Sequence, residues 1–196
     1  AALVTPGSEI RLEGIGLNPT RTGLLGAFLE MGADISIENE AEQAGEPVGD
    51  IIVRSSRLHG IQVGGEMVVR MIDEFPAFAV AASLAEGETQ VHDAQELRNK
   101  ESDRIDALGK ELSSLGALFE AKPDGFVIRG QPRLRGGIVD PHGDHRLAMA
   151  LALVGLSAHH PVEVSNAGII AESFPAFPDV LEMLGAQIQI DTGLGV

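Results

Sequence analysis

The sequence predicts an α/β fold made of three copies of a helix–strand unit, with apolar helices at its centre. Three observations predict it. A short phrase recurs: Leu29-Glu30-Met31-Gly32-Ala33, then Leu115-Gly116-Ala117-Leu118, then Glu182-Met183-Leu184-Gly185-Ala186. A phrase repeated at three places marks a structural repeat. Each glycine follows an apolar run of helical period and precedes a strand-like one, which is the order helix, stop, strand. Residues 77–84 and 147–156 are apolar nearly all round, and such helices belong inside a core.

The elements follow in order. Ala1-Ala2-Leu3-Val4 reads as the tail of an apolar helix running into the turn Thr5-Pro6-Gly7, with a strand to Arg11. A start of this kind, without Met, suggests a fragment cut inside a larger protein. Asn18-Pro19-Thr20-Arg21-Thr22-Gly23 reads as a helix entrance with a threonine cap. The first helix covers residues 24–31, and Gly32 supplies the left-handed residue that ends it. Residues 50–54, Asp50-Ile51-Ile52-Val53-Arg54, are an added strand. Residues 40–49 and 60–69 read as loops. Helix 77–84, the turn Ala85-Glu86-Gly87 and strand 88–92 open the second copy. Ile105, Leu108, Leu112 and Leu115 then recur at helical spacing, and residues 125–129 form another added strand. Residues 130–143, with Pro132, Gly136, Gly137 and Pro141, read as a loop. Helix 147–156, the turn His159-His160-Pro161, a strand to Val164, helix 180–184 and a strand at Gln187-Ile188 complete the third copy.

Composition narrows the functions. At 196 residues with 44% hydrophobic, the chain is long and apolar enough for one domain with a sizeable core. A formal charge of −15 argues against nucleic acid as a partner, and 4% aromatics leave no base-stacking platform. No apolar run approaches the ~20 residues of a membrane span, and no secretory leader is read. The lack of cysteine rules out disulfides and thiolate metal sites and fits the cytoplasm. An acidic chain binds anions only where its few cations are concentrated.

One such concentration stands out. Arg98-Asn99-Lys100-Glu101-Ser102-Asp103-Arg104 holds three cations ahead of an amphipathic helix. Asp144-His145-Arg146 precedes the apolar helix after it, and Ile72-Asp73-Glu74-Phe75-Pro76 precedes the helix before it. Helix N-termini favour negative charge through free N–H groups and the helix dipole. Together the three entrances suggest one site, with Arg98, Lys100, Arg104 and Arg146 as its cations. Surface ion pairing is the plainer reading of each taken alone.

These stretches, with Asn18–Gly23, Glu96-Leu97 ahead of the cation cluster, Met149 and Ser173-Phe174-Pro175, carry a resemblance. The chain resembles the C-terminal part of the 5-enolpyruvylshikimate-3-phosphate synthase family, in the bacterial class that includes glyphosate-tolerant members. The match runs through nearly the whole chain. The resemblance implies an inside-out α/β barrel, with helices inside sheets, and one domain over residues 1–196. That domain would be the C-terminal half of a two-domain synthase whose cleft holds the active site. It also implies enolpyruvyl transfer from phosphoenolpyruvate to the 5-hydroxyl of shikimate-3-phosphate, with release of phosphate and without metal or organic cofactor. The missing N-terminal half would be a partner, and this chain alone would be inactive. The alternatives are the sister transfer to a UDP-sugar, or a non-catalytic module that complements a partner half.

Residue by residue, the resemblance assigns Asp73 as base and Glu101 as proton donor to phosphoenolpyruvate. It assigns Arg104 and Arg146 to hold phosphoenolpyruvate, since guanidinium forks fit carboxylate and phosphate. Lys100 would lie near the substrate hydroxyls, His145 at the site edge, and Glu96 where some members place a substrate-binding asparagine. The competing readings are a helix N-cap for Asp73, an ion pair with Arg98 or Arg104 for Glu101, and a loop-to-loop hydrogen bond for His145. Asp144 reads as an orienting or capping residue, Asp103 as a structural partner of an arginine, and Arg21 as a salt bridge. One departure is Glu172, where some members carry a lysine that handles phosphate. His59, His92, His159 and His160 have no zinc spacing, and Gly64-Gly65 and Gly136-Gly137 lack the context of a phosphate loop.

Overall fold

The structure, a computed structural model, describes residues 1–191. The expectation of one domain through residue 196 therefore runs past the described residues. The first unit holds β1 (Glu9–Gly16), α1 (Gly23–Glu30), β2 (Asp34–Gln43) and β3 (Glu46–Arg54). The second holds β4 (Gln62–Val63), α2 (Glu66–Arg70), α3 (Phe75–Leu84), β5 (Glu88–Val91), α4 (Arg104–Ser114), β6 (Leu118–Lys122) and β7 (Gly125–Arg129). The third holds β8 (Gly137–Val139), α5 (His145–Val154), β9 (Val162–Val164) and α6 (Phe177–Met183).

The three repeated glycines end α1, α4 and α6 in the same way. Gly32, Gly116 and Gly185 take φ of +86°, +100° and +98°. In each case the glycine N–H and the following alanine N–H bond back across the last turn. The pairs are Gly32 to Leu29 and Ala33 to Phe28, Gly116 to Ser113 and Ala117 to Leu112, Gly185 to Glu182 and Ala186 to Leu181. This double closure satisfies the orphan carbonyls of a helix end and needs a left-handed residue, which glycine adopts without cost.

Three sheets result among the described residues. The first has the order β1-β3-β2, all antiparallel, with Ile52 of β3 paired to Arg11 and Ser36. The second has the order β4-β5-β7-β6, with β4 and β5 parallel and the other pairs antiparallel. The third pairs β8 and β9 in parallel. Helices α3, α4 and α5 pack on one another, α3 lies against β7, and α4 lies against β6. In α3 every residue from Phe75 to Ser83 except Ala77 is buried, and Leu147, Ala148, Ala150, Leu151 and Val154 of α5 are buried too. Phe75 meets Phe78 and Phe126 edge-on, with centroids 6.0 and 6.1 Å apart. These rings join helix to sheet, at roughly 0.5–1.5 kcal/mol per pair beyond burial. The amphipathic α4 buries Ile105, Leu108 and Leu112 and leaves Asp106 and Lys110 in water.

Several expectations change. Residues 40–49 form the tip of a β2–β3 hairpin, and its turn residues Ala44 and Gly45 both have positive φ, +52° and +84°. Residues 60–69 contain β4 and most of α2, and residues 130–143 contain β8. The helix tail at the start is one 3-10 turn, Ala2–Val4. Thr22 precedes α1 without capping it, because its hydroxyl accepts from Arg70 Nη2 at 2.9 Å and lies 3.3 Å from the Pro19 carbonyl. The strand expected at Gln187-Ile188 does not form. In the second unit β6 is held by β7, and among the described residues the third unit has no counterpart of β7. A strand without a partner is not stable. No helix among the described residues is long and apolar enough to cross a membrane.

Candidate active site

The entrances of α3, α4 and α5 come together. Asp73 lies in the turn before α3. The residue that opens the helix is Glu74, and it makes no side-chain cap, so the capping reading of Asp73 does not hold. The Asp73 carboxylate is left to cations. Lys100 Nζ is 3.5 Å and Arg104 Nη1 3.6 Å from Oδ1, and Arg146 Nη2 and Arg21 Nη2 are each 3.8 Å from Oδ2. Arg146 Nη1 also donates to the Asp73 carbonyl at 3.2 Å. Burial pushes the Asp73 carboxyl up. The fields of Arg146, Lys100 and Arg104 and the Lys100 hydrogen bond outweigh that and hold it below the ordinary aspartate value.

Arg104, the first residue of α4, is wholly buried. Its Nε donates to Asp144 Oδ2 at 2.7 Å, and its Nη2 donates to Glu101 Oε2 at 2.8 Å. Nη1 has no hydrogen-bond partner. That edge faces Asp73 Oδ1 at 3.6 Å, beyond hydrogen-bond reach, so it is a costly donor that an anion drawn in closer would satisfy.

Asp144 organises this corner. It is buried and opens α5, accepting from the Arg146 and Leu147 N–H groups at 2.9 and 3.3 Å. The Ser102 hydroxyl lies 3.4 Å from its Oδ2. Burial raises its carboxyl, but the Arg104 hydrogen bond and charge and the two backbone N–H groups bring it below the ordinary value. The orienting and capping role read for Asp144 is what the structure places there.

Five of the seven residues assigned by the resemblance therefore meet: Asp73, Lys100, Glu101, Arg104 and Arg146. Glu101, half-exposed, is paired with Arg104. His145 is the first residue of α5, beside the cluster in the chain, and makes no side-chain hydrogen bond among the described residues. Glu96 is exposed in the 3-10 turn Gln95–Asn99, and its side chain makes no hydrogen bond or ion pair among the described residues. Arg98 is a correction. Its guanidinium turns to Asp103 and Asp106 at 2.8 and 3.0 Å and to the Lys122 and Pro123 carbonyls, so it braces α4 against the β6–β7 turn. Asp103 accordingly caps α4 and pairs with that arginine. Arg21 does bridge Glu74, at 3.5 Å, while also facing Asp73. Glu172 is exposed, with no side-chain partner among the described residues.

The sequence reading missed Glu111. It is buried on α4, accepts from the Asp140 N–H at 3.1 Å and lies 2.8 Å from His142 Nε2. It thus holds the turn that leads into Asp144. The signal was available, since Glu111 stands seven residues after Arg104, on the face that α4 buries.

Residues 1–181 match the family model for EPSP synthase (3-phosphoshikimate 1-carboxyvinyltransferase). A 3-phosphoshikimate 1-carboxyvinyltransferase of Desulforudis audaxviator is 52% identical over 184 residues, covering 94% of this chain and 43% of that protein. One of Geobacter sulfurreducens is 47% identical, over 95% of this chain and 44% of its own. The chain thus spans less than half the length of these curated relatives. The EPSP synthase of Acinetobacter baumannii superposes with a TM-score of 0.94 at 38% identity, over 97% of this chain and 45% of that one. The enolpyruvyl transferase NikO of Streptomyces tendae, at 17% identity and a TM-score of 0.73, shares the fold.

Proposed function

The chain belongs to the EPSP synthase (3-phosphoshikimate 1-carboxyvinyltransferase) family, and from that premise we propose that it supplies one wall of an enolpyruvyl-transfer site. The observation that carries the reading is Asp73, one carboxylate facing Lys100 and Arg104 from the entrance of α4, Arg146 from that of α5 and Arg21 from that of α1. An empty site of this build keeps its cations paired to an internal anion until substrate anions arrive.

In the proposed reaction the carboxylate and phosphate of phosphoenolpyruvate take Arg104, through the Nη1 edge that faces Asp73, and Arg146. Guanidinium forks suit both groups. Asp73 accepts the proton of the shikimate-3-phosphate 5-hydroxyl as that oxygen bonds to the central carbon of phosphoenolpyruvate. Glu101 gives a proton to the vinyl carbon, after phosphoenolpyruvate has displaced it from Arg104. Lys100 steadies the hydroxyls. The tetrahedral adduct then loses phosphate from the central carbon and a proton from the new methyl group, which restores the vinyl bond. His145 and Glu96 border the substrate in this reading.

The electrostatics suit the sequence of events. The cations that depress Asp73 in the empty site are those the substrate anions occupy. Once they are occupied, the proton affinity of Asp73 rises, which is what a base in the loaded site needs. Glyphosate, with a phosphonate and a carboxylate, would compete for the same arginines. We place the reaction in the cytoplasm.

The rest of the enzyme is needed for the second wall. The experiment is phosphate release from phosphoenolpyruvate and shikimate-3-phosphate, with this chain alone and then mixed with the N-terminal portion of a relative. Turnover is expected only on mixing. Turnover by the chain alone, or none once both parts are folded and associated, overturns the reading. In the second case a UDP-sugar acceptor is tried, and tight association with no turnover on either acceptor marks a complementation module.

A further inference from the structure

We propose that the cleft at the far ends of the central helices binds a small organic anion, a phosphate or carboxylate on an apolar body, apart from the Asp73 site. The cleft has a volume of about 480 Å³ and is lined by residues 3–4, 6–7, 55–58, 84, 132–133 and 156–157. Helix α3 begins beside Asp73 and ends at Leu84, and Leu156 stands just beyond the end of α5. At 1.5 Å of rise per residue, about 15 Å of helix separates the cleft from the catalytic group.

Two independent observations point to a ligand. The first concerns the arginines. The chain has 29 acidic and 14 basic residues, so a basic side chain seldom lacks an anion. Among the described residues only Arg57, Arg133 and Arg135 make no side-chain hydrogen bond or ion pair; the rest are engaged. Arg57 and Arg133 both line this cleft. Neither donates to a carbonyl at the end of α3 or α5, so helix capping does not account for them. The second observation is Ser157, a residue of the same cleft wall whose hydroxyl, shielded from solvent, has no hydrogen-bond partner among the described residues. Buried hydroxyls are nearly always satisfied, and a serine hydroxyl orphaned beside a cleft gains a partner by turning toward a bound group. Two guanidinium groups and a hydroxyl are the donors an oxyanion takes. Leu3, Leu58, Leu84 and Leu156 supply an apolar wall, which fits a body larger than an inorganic ion.

The probes are phenyl phosphate, benzoate and inorganic phosphate, titrated into this chain labelled with nitrogen-15 and followed by NMR. Saturable shifts are expected at residues 55–58, 133–134 and 156–158 with phenyl phosphate or benzoate, the tighter of the two naming the head group. Inorganic phosphate should bind more weakly. The double variant Arg57→Gln, Arg133→Gln should weaken binding at least about tenfold, the worth of a charge-assisted contact. Both side chains are exposed, so folding is not at stake, and a parallel thermal melt checks it. Ser157→Ala should weaken binding less. Shifts confined to residues 100–104 and 144–147, no saturation, or unchanged affinity in the double variant would overturn the proposal. Because the readout is binding at this cleft, its failure leaves the transfer reading intact.

Discussion

Asp144 shows how one buried carboxylate aims two arginines. Its Oδ2 holds Arg104 through Nε, and its Oδ1 holds the first backbone N–H groups of α5, which set where Arg146 begins. Removing one partner of a buried ion pair costs about 3–5 kcal/mol, because the other charge is left uncompensated. Asp144→Asn should lie toward the low end, about 3 kcal/mol by urea titration, since Glu101 still faces Arg104 and the amide oxygen still accepts. The pH dependence has a definite sign. Asp144 and Asp73 both have folded values below the ordinary 3.8. Their contribution to stability is therefore complete above 3.8 and is lost as the pH falls from there through the depressed folded values. The parent should lose stability over that acid window, and Asp144→Asn should lose less. Identical acid limbs would show that the buried pair has no linkage to folding.

At the scale of elements, α4 and the entrance of α5 are fastened twice. Arg104 meets Asp144 at the first turn of α4, and Glu111, two turns later, grips Asp140 and His142 in the turn ahead of Asp144. His142 sits at φ +52° and Gly143 at +74°, a tight turn that a β-carbon strains and the Glu111 contacts hold in place. Glu111→Ala should cost roughly 1–3 kcal/mol, as expected when buried donors lose their acceptor. Amide exchange should quicken at residues 140–147 ahead of the rest of the chain. Uniform quickening would show that the turn has no separate anchorage. The elements also show what could be read beforehand. Helices α3 and α5 declared themselves by unbroken apolar runs, and α1, α4 and α6 by a shared glycine stop. The β2–β3 hairpin was hidden because its turn is Ala44-Gly45. Both turn residues need positive φ, and alanine does not carry the Asn-Gly signal of such turns. Helix α2, at five residues, is too short for its period to register. In the site, residue types predicted the meeting of Asp73, Arg104 and Arg146. They did not predict the direction of Arg98, which two carbonyls and two carboxylates on neighbouring turns decide.

At the scale of the molecule the apolar interior divides unequally. One cluster runs from Leu3 through α3, α4 and the second sheet to Val154. A smaller one, Ala148, Ile170, Phe177 and Leu181, holds the 3-10 turn Ala167–Glu172 and α6 against the outer side of α5. Ser173-Phe174-Pro175, the last stretch of the family resemblance, is exposed beside this small cluster, and Phe174 meets Phe177 edge-on with centroids 5.8 Å apart. Segments with few buried contacts open before the global unfolding transition. Phe126, wholly buried on β7, belongs to the large cluster, and Phe126→Ala should cost about 3–5 kcal/mol and lower the midpoint for the whole chain. Phe177→Ala should instead release residues 167–184 to fast hydrogen exchange, with the main transition shifted by under about 1 kcal/mol. The two variants compared by exchange and urea titration decide the matter. If Phe177→Ala lowers the main transition as far as Phe126→Ala does, the third unit folds as one with the other two. If it does not, the exposed segment holding Glu172 is the part of the described chain freest to adjust its position.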